Sequence, residues 1–401
     1  MGLATLGAGG CPQQAPQSFT AQNGLLSPKQ FDQAKDAFAE VEDAAGGLGL
    51  HFNESSCANC HLAPVKQGLI GGSGPVTELR AGHLGPNNQF IPAPGGTLIT
   101  LQALSGARTE AQALAASENL RDRFITPSLF GDGLVECVAD NLFRRIAQEQ
   151  SARTKGRIHG LVREVDVLEA PGKHAVGRFG WAAQHASLLS FSADAYRNEM
   201  GITSKLFPED NTFLGQKVDD GVADPEDKGG KFGEDVENFA DFMRALAAPP
   251  RLLPTAAKER ADVERGAARF KAIGCALCHL PELVTANTGA RVNGGAFRVP
   301  KALGNKRFHP YGDFLLHDLG TGPSILREGM PSEAKGKIRT AALWGLGTRL
   351  VNGEPLLHDG SAPTLEAAIQ RHKNSAAPEA EKFQRLSEKE RTQLLKFLRS
   401  L

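Results

Sequence analysis

One five-residue pattern occurs twice in this chain, as C-A-N-C-H at 57–61 and as C-A-L-C-H at 275–279. Two thiols separated by two residues sit on one side of a helical turn, where they can add to the two vinyl groups of a haem as thioethers. The histidine that follows lies under the porphyrin plane and can ligate the iron. A redox dithiol would want a thioredoxin-like βαβ context, which neither pair has. Zinc-binding pairs usually lie much closer in sequence, and a histidine directly after both pairs has no role in either alternative. The motifs therefore predict two covalently bound c-type haems. One is attached at Cys57 and Cys60 with His61 on its iron, the other at Cys275 and Cys278 with His279.

Composition removes several classes. The 401 residues carry zero formal net charge, which gives no support to nucleic-acid binding. No apolar run approaches the length of a membrane span. With 41% hydrophobic residues there is ample material for real cores, and the length suggests two domains. Of the six cysteines, Cys11 and Cys137 are left over. Cys11 ends a small, apolar N-terminal run that resembles the end of a lipoprotein export signal, although a basic n-region is lacking. The expectation is a periplasmic or otherwise exported protein, with contact to a membrane only through lipidation of Cys11. Cys137, in L-V-E-C-V-A-D, reads as a buried apolar thiol.

Each motif is framed by helices. Ser27, Pro28 and Gln30 make a capping box that opens a helix over 27–40, with Phe31, Ala34 and Phe38 on one face. D-V-E-N-F-A-D-F-M-R-A-L closes this half at Pro249. In the second half a helix over 256–273 puts Val263, Ala267 and Phe270 on one face. Ser387 and Glu390 then cap the terminal helix, whose F-L-R-S-L mirrors the earlier F-M-R-A-L. Glycine is abundant, at 45 residues, so 62–110 and 280–335 read as loops wrapping a prosthetic group rather than as sheet. The fold class expected is mainly α, two fused class I cytochrome c-like domains with long loops. Residues 1–24 are read as an export-signal remnant or flexible terminus, 25–250 as the first domain and 251–401 as the second.

Longer phrases are more specific. G-R-F-G-W-A-A-Q-H-A-S-L (177–188), R-N-E-M-G-I-T (197–203), Y-G-D-F-L-L-H-D-L-G (311–320), I-R-T-A-A-L-W-G-L-G (338–347) and L-L-H-D-G-S-A-P-T-L-E-A-A-I-Q-R-H (356–372) together resemble the bacterial di-haem cytochrome c peroxidase superfamily. The branch they resemble most is the di-haem oxidoreductases often labelled "thiol oxidoreductase". The peroxidases keep a Trp between the haems, a Leu seven residues on, and then a Glu-Met pair. Trp181, Leu188 and Glu199-Met200 follow that order with two fewer residues between. The resemblance thus implies that Trp181 is the inter-haem Trp and Glu199 the acid beside the first haem. The stretch from T-P-S-L-F (126–130) to Trp181 is longer than in the peroxidases.

Where the peroxidases place a Met ligand fourteen residues after a His-x-Gly, His358 is followed here by His372. The resemblance therefore implies a His279/His372 pair at the second iron, which lowers its potential relative to a thioether ligand. His83, in L-R-A-G-H-L-G, falls near a distal-ligand position. His358, His185 and His317 read as supporting residues, and Arg123 and Arg339 as partners for haem propionates. The resemblance also leaves room for a calcium ion between the domains.

The activity implied is that of a peroxidase. Peroxide is activated at the first centre with Glu199 moving a proton, and Trp181 relays electrons to the second centre. Peroxide or another small oxidant is then the substrate, and a small redox protein such as a cytochrome c or cupredoxin the electron donor. Two other classes stay open: a non-catalytic di-haem electron carrier, and an oxygenase-like use of the same architecture.

Overall fold

The computed structural model describes residues 12–18, 22–62 and 70–401. Cys11 lies outside them. The framing helices form where the capping signals place them. Helix α1, Pro28–Ala39, starts from the reciprocal Ser27–Gln30 box and buries Ala34 and Phe38. The first motif is itself a four-residue helix, α2, Cys57–Cys60. A four-stranded antiparallel sheet comes next, built from β1 (Val76–Leu84), β2 (Phe90–Pro92), β3 (Leu98–Ile99) and β4 (Leu120–Ile125), with β1 pairing all three others. Its longest register runs from Glu78 opposite Phe124 to Gly82 opposite Leu120.

The helices that follow are α3 (Asp132–Glu136), α4 (Asp140–Thr154), α5 (Leu188–Met200) and α6 (Glu234–Ala245). Helix α6 packs on both α1 and α5. Phe38 meets Phe242 at 4.8 Å and Phe239 edge-on at 6.0 Å between ring centres. This core extends well past residue 250, to Phe308, Phe314 and Trp344. The strand Gln13–Gln14 likewise pairs in parallel with Lys306–Arg307.

The chain then enters α7 (Ala257–Ile273), the hairpin of β5 (Leu316–Asp318) with β6 (Lys337–Arg339), α8 (Leu365–Gln370) and α9 (Glu388–Arg399). Helix α9 starts from the Ser387–Glu390 capping box. Helices α7 and α9 cross so closely that a Cβ on Gly266 would sit 2.1 Å from the Gln393 carbonyl oxygen. Only glycine allows that approach. Around the crossing, Val263, Phe270, Leu394 and Phe397 are buried, each large apolar side chain contributing about 1.5–3 kcal/mol.

The mainly-α expectation is overturned. Helices make up 35% and strands 16% of the structure over the described residues, and these strands fall into seven small sheets. The two stretches expected to be loops carry most of them. Five short strands lie between Leu283 and Asp318, and four, namely β1, β2, β3 and Gln102–Ala103, lie in 62–110. The main partner of β1 is β4, some forty residues away, so no local periodicity announces the pairing.

Candidate functional site

At the first motif, His61 donates from Nδ1 to the Gly72 carbonyl at 3.0 Å, which leaves Nε2 as the free lone pair. Burial pushes this imidazole down to about 4, so it is neutral at physiological pH, as a metal ligand must be. Burial also raises the Cys57 and Cys60 thiols to about 12. The side chains of Thr77 and Thr126 hydrogen-bond Cys60. The Gly74 backbone approaches so closely that a Cβ there would fall 1.6 Å from the Cys60 carbonyl oxygen.

Glu199, in the last turn of α5, comes to this site. Its carbonyl accepts from the Asn53 N–H at 2.7 Å, and its Oε2 accepts from Asn53 Nδ2 at 2.7 Å. Asn53 is in turn fixed by the Leu101 N–H on its own Oδ1. Burial, and after it the negative charge of Glu78, raise the Glu199 carboxyl to about 7. Although burial acts to raise Glu78, the guanidinium groups of Arg327 and Arg80 hold it below its usual range. Arg327 pairs with Glu78 at 3.0 Å from the other half of the chain. Arg197 does not pair with Glu199; it donates to the carbonyls of Glu209 and Asp210. Asn53 was missed from sequence, and its only signal is its place four residues before Cys57.

The second motif opens on an apolar cavity lined by Ile158, Phe270, Ile338, Leu365 and Leu394, with Cys275, Cys278, His279 and His372 in its wall. His279 donates from Nδ1 to the Tyr311 carbonyl at 3.0 Å, and His372 from Nδ1 to the Ala368 carbonyl at 2.8 Å. Both Nε2 atoms are thereby left unprotonated. The two rings lie 6.4 Å apart, centre to centre. One metal between two imidazoles, with bonds of about 2.0–2.1 Å, needs roughly that separation. Both rings turn part of their surface to the cavity yet are enclosed by protein. Burial therefore lowers His372 and brings His279 to about 4. A flat apolar group with a metal at its centre fits these donors and this lining.

Trp181 is tied to the end of β4, the strand that runs up to the first motif. It is buried, lines the second cavity, and donates from Nε1 to the Ile125 carbonyl at 2.8 Å. The Ile125 N–H donates to the His358 carbonyl at 2.7 Å, and the next residue is Thr126 beside Cys60. His358 meets Trp181 edge-on, with ring centres 6.2 Å apart.

The family model described as "Di-haem oxidoreductase, putative peroxidase" matches residues 103–401. The chain belongs to this family. That span takes in the second motif, Trp181, Glu199 and His372, while the first motif lies before it. Membership in a di-haem family carries haem as the cofactor, which agrees with the donor sets above. No curated protein matches the chain. Among solved structures, hydrazine synthase of Kuenenia stuttgartiensis, pressurised with xenon, aligns over 100% of this chain and 99% of its own, at 14% identity and a TM-score of 0.40.

Glu136 and the other residues singled out from sequence take varied places in this di-haem oxidoreductase. Glu136 is fully buried and consumed, accepting from Arg244 at 2.7 and 3.1 Å, from the Leu188 N–H and from Asn293. His83 pairs with Glu118 at 2.9 Å on β1. His185 is buried against Asp194 at 3.1 Å. Arg339 lines the second cavity and donates to the Gly180 carbonyl at 2.6 Å, whereas exposed Arg123 lines a separate groove with Arg121, Thr321 and His358. Cys137 is fully buried. For the calcium expectation, the carboxylates that converge are those of Asp210 with Asp224 and Glu226, and of Asp210 with Asp219 and Asp220. Burial and then the Asp224 charge raise Asp210 to about 6.

Proposed function

We propose that this di-haem oxidoreductase is a peroxidase. Haem would be held covalently at Cys57 and Cys60, with His61 as an iron ligand, and at Cys275 and Cys278, with His279 and His372 as iron ligands. The observation that carries the reading is the asymmetry of the two sites. At the second, two neutral imidazoles face each other at 6.4 Å. At the first, a carboxyl raised to about 7 comes to the site in company with Asn53.

Haem bound at these residues supplies the iron on which peroxide is activated. Glu199 handles the proton. Its carboxylate would take a proton from one oxygen of peroxide and return it to the other, so that this oxygen leaves as water, while the electrons for the O–O cleavage would come from the haem these residues hold. A pKa near 7 populates both forms at neutral pH, which suits a group that must take a proton and then give it. Asn53, through Nδ2, keeps Oε2 oriented. Glu78, kept ionised by Arg327 and Arg80, strengthens the hold of Glu199 on its proton. Trp181, which lines the second cavity and is tied to Ile125, gives electrons a short path from one site to the other. Export of the chain and a small redox protein as donor complete the proposal.

The test is spectroscopic. Purified protein should hold two haem equivalents after denaturation, by pyridine haemochrome. Its low-spin signals should change on addition of peroxide. Spectra indifferent to both peroxide and cyanide would make the chain an electron carrier, and a stable dioxygen complex would make it oxygenase-like.

A further inference from the structure

Beside Cys278 lies a buried pair that the proposed reaction does not use. His317, on β5, is 2% exposed, and Asp313 is fully buried. His317 donates from Nε2 to Asp313 Oδ2 at 2.8 Å, and its Nδ1 lies 3.9 Å from Cys278 Sγ. The imidazole thus sits between the sulfur and the carboxylate, with its own edge in the wall of the second cavity. The carboxylate is fixed from other sides as well. It accepts from the Leu315 N–H at 3.0 Å and from Gln150 Nε2 at 2.5 Å. Gln150, on α4, also donates to the carbonyl of Leu277, inside the second motif, at 2.8 Å. Helix, motif and β5 are locked together around one charged pair.

Burial alone favours a neutral ring, but the Asp313 carboxylate outweighs it and holds His317 protonated well above its usual range. Both ring nitrogens are then donors, one to Asp313 and one toward the sulfur. Charge on the ring is nearer the cavity than the charge that balances it. In an enclosed apolar site such a field is weakly screened.

We propose that His317 is a positioning residue for the group attached at Cys278 and a fixed positive charge that raises the reduction potential of the second centre. The physical reason is that oxidation of that centre adds positive charge beside an existing one. The effect opposes the lowering caused by two imidazole ligands. The inference rests on the reading that haem is attached through Cys278.

The experiment uses the holoprotein and two variants, His317→Gln and His317→Leu. Spectroelectrochemical titration follows the low-spin signal of the second centre, and intact mass reports covalent haem. Both variants should keep two covalent haems and shift the second potential to more negative values. Leu should shift it further than Gln, which retains an N–H donor for the sulfur. Should Leu not fold, Gln alone decides the matter. An unchanged or more positive potential in a fully loaded variant overturns the proposal. So does loss of a thioether, which would assign His317 to attachment only. Wild-type protein without haem on Cys278 would overturn the functional reading first, and this inference with it.

Discussion

Replacing Glu199 with Gln tests the proposed chemistry with little disturbance of the structure. The amide has the same shape, and its oxygen can still accept from Asn53 Nδ2, so the 2.7 Å contact survives. What disappears is a group able to take up and release a proton. A positioned acid–base group contributes ~10²–10⁴-fold, or about 2.7–5.5 kcal/mol of barrier at 1.36 kcal/mol per decade. The variant should therefore keep both haems and react with peroxide slower by that factor.

The pH profile is a second and independent reading. Burial and Glu78 raise the carboxyl to about 7. The form that accepts the first proton is the carboxylate. It makes up roughly half of the molecules at pH 7, about a tenth at pH 6 and about a hundredth at pH 5. The wild-type rate should rise with pH through this window and level off above it, while Glu199→Gln should be flat. The assay is stopped-flow mixing with peroxide from pH 5 to 8. A wild-type rate in the variant, or the same inflection in both proteins, would refute the assignment and place the proton on another group. Glu136 is not that group, because its carboxylate is fully committed to Arg244, Leu188 and Asn293.

Three further outcomes are expected. His372→Ala should turn one low-spin centre high-spin in the EPR spectrum and leave the other unaltered; a low-spin signal that survives intact would mean another side chain holds the site. Trp181→Phe should leave the first reaction with peroxide at its normal rate but slow oxidation of the second centre in stopped-flow traces, and equal rates for both steps would remove Trp181 from the path. Glu136→Gln should lower stability to denaturant by about 3–5 kcal/mol, because it strands the buried Arg244 guanidinium; a loss below about 1 kcal/mol would show that Asp241, at 3.3 Å, suffices as its partner.

The sequence by itself determined whatever depends on neighbours along the chain. The capping boxes at Ser27 and Ser387 and the faces of α1 and α7 are patterns of neighbouring residues, and each appears at its expected place. Its phrases also determined the family. The proposed pairing of His279 with His372 comes from a resemblance across ninety-odd residues, and the fold places the two rings 6.4 Å apart.

Tertiary structure alone decided the rest. The sheet around β1 depends on β3, about twenty residues away, and β4, about forty away, pairings that leave no local period to read, so stretches rich in glycine read as loops. Glu199 acquires its raised carboxyl only because folding buries it and brings the charge of Glu78, more than a hundred residues upstream, to its side, which together outweigh the lowering hydrogen bond from Asn53. His317 is held protonated because it is buried against Asp313, whose carboxylate Gln150 fixes from α4. Desolvation and the placement of opposite charges are properties of a folded interior, where a few ångströms set the interaction, and no local pattern of residue types encodes them.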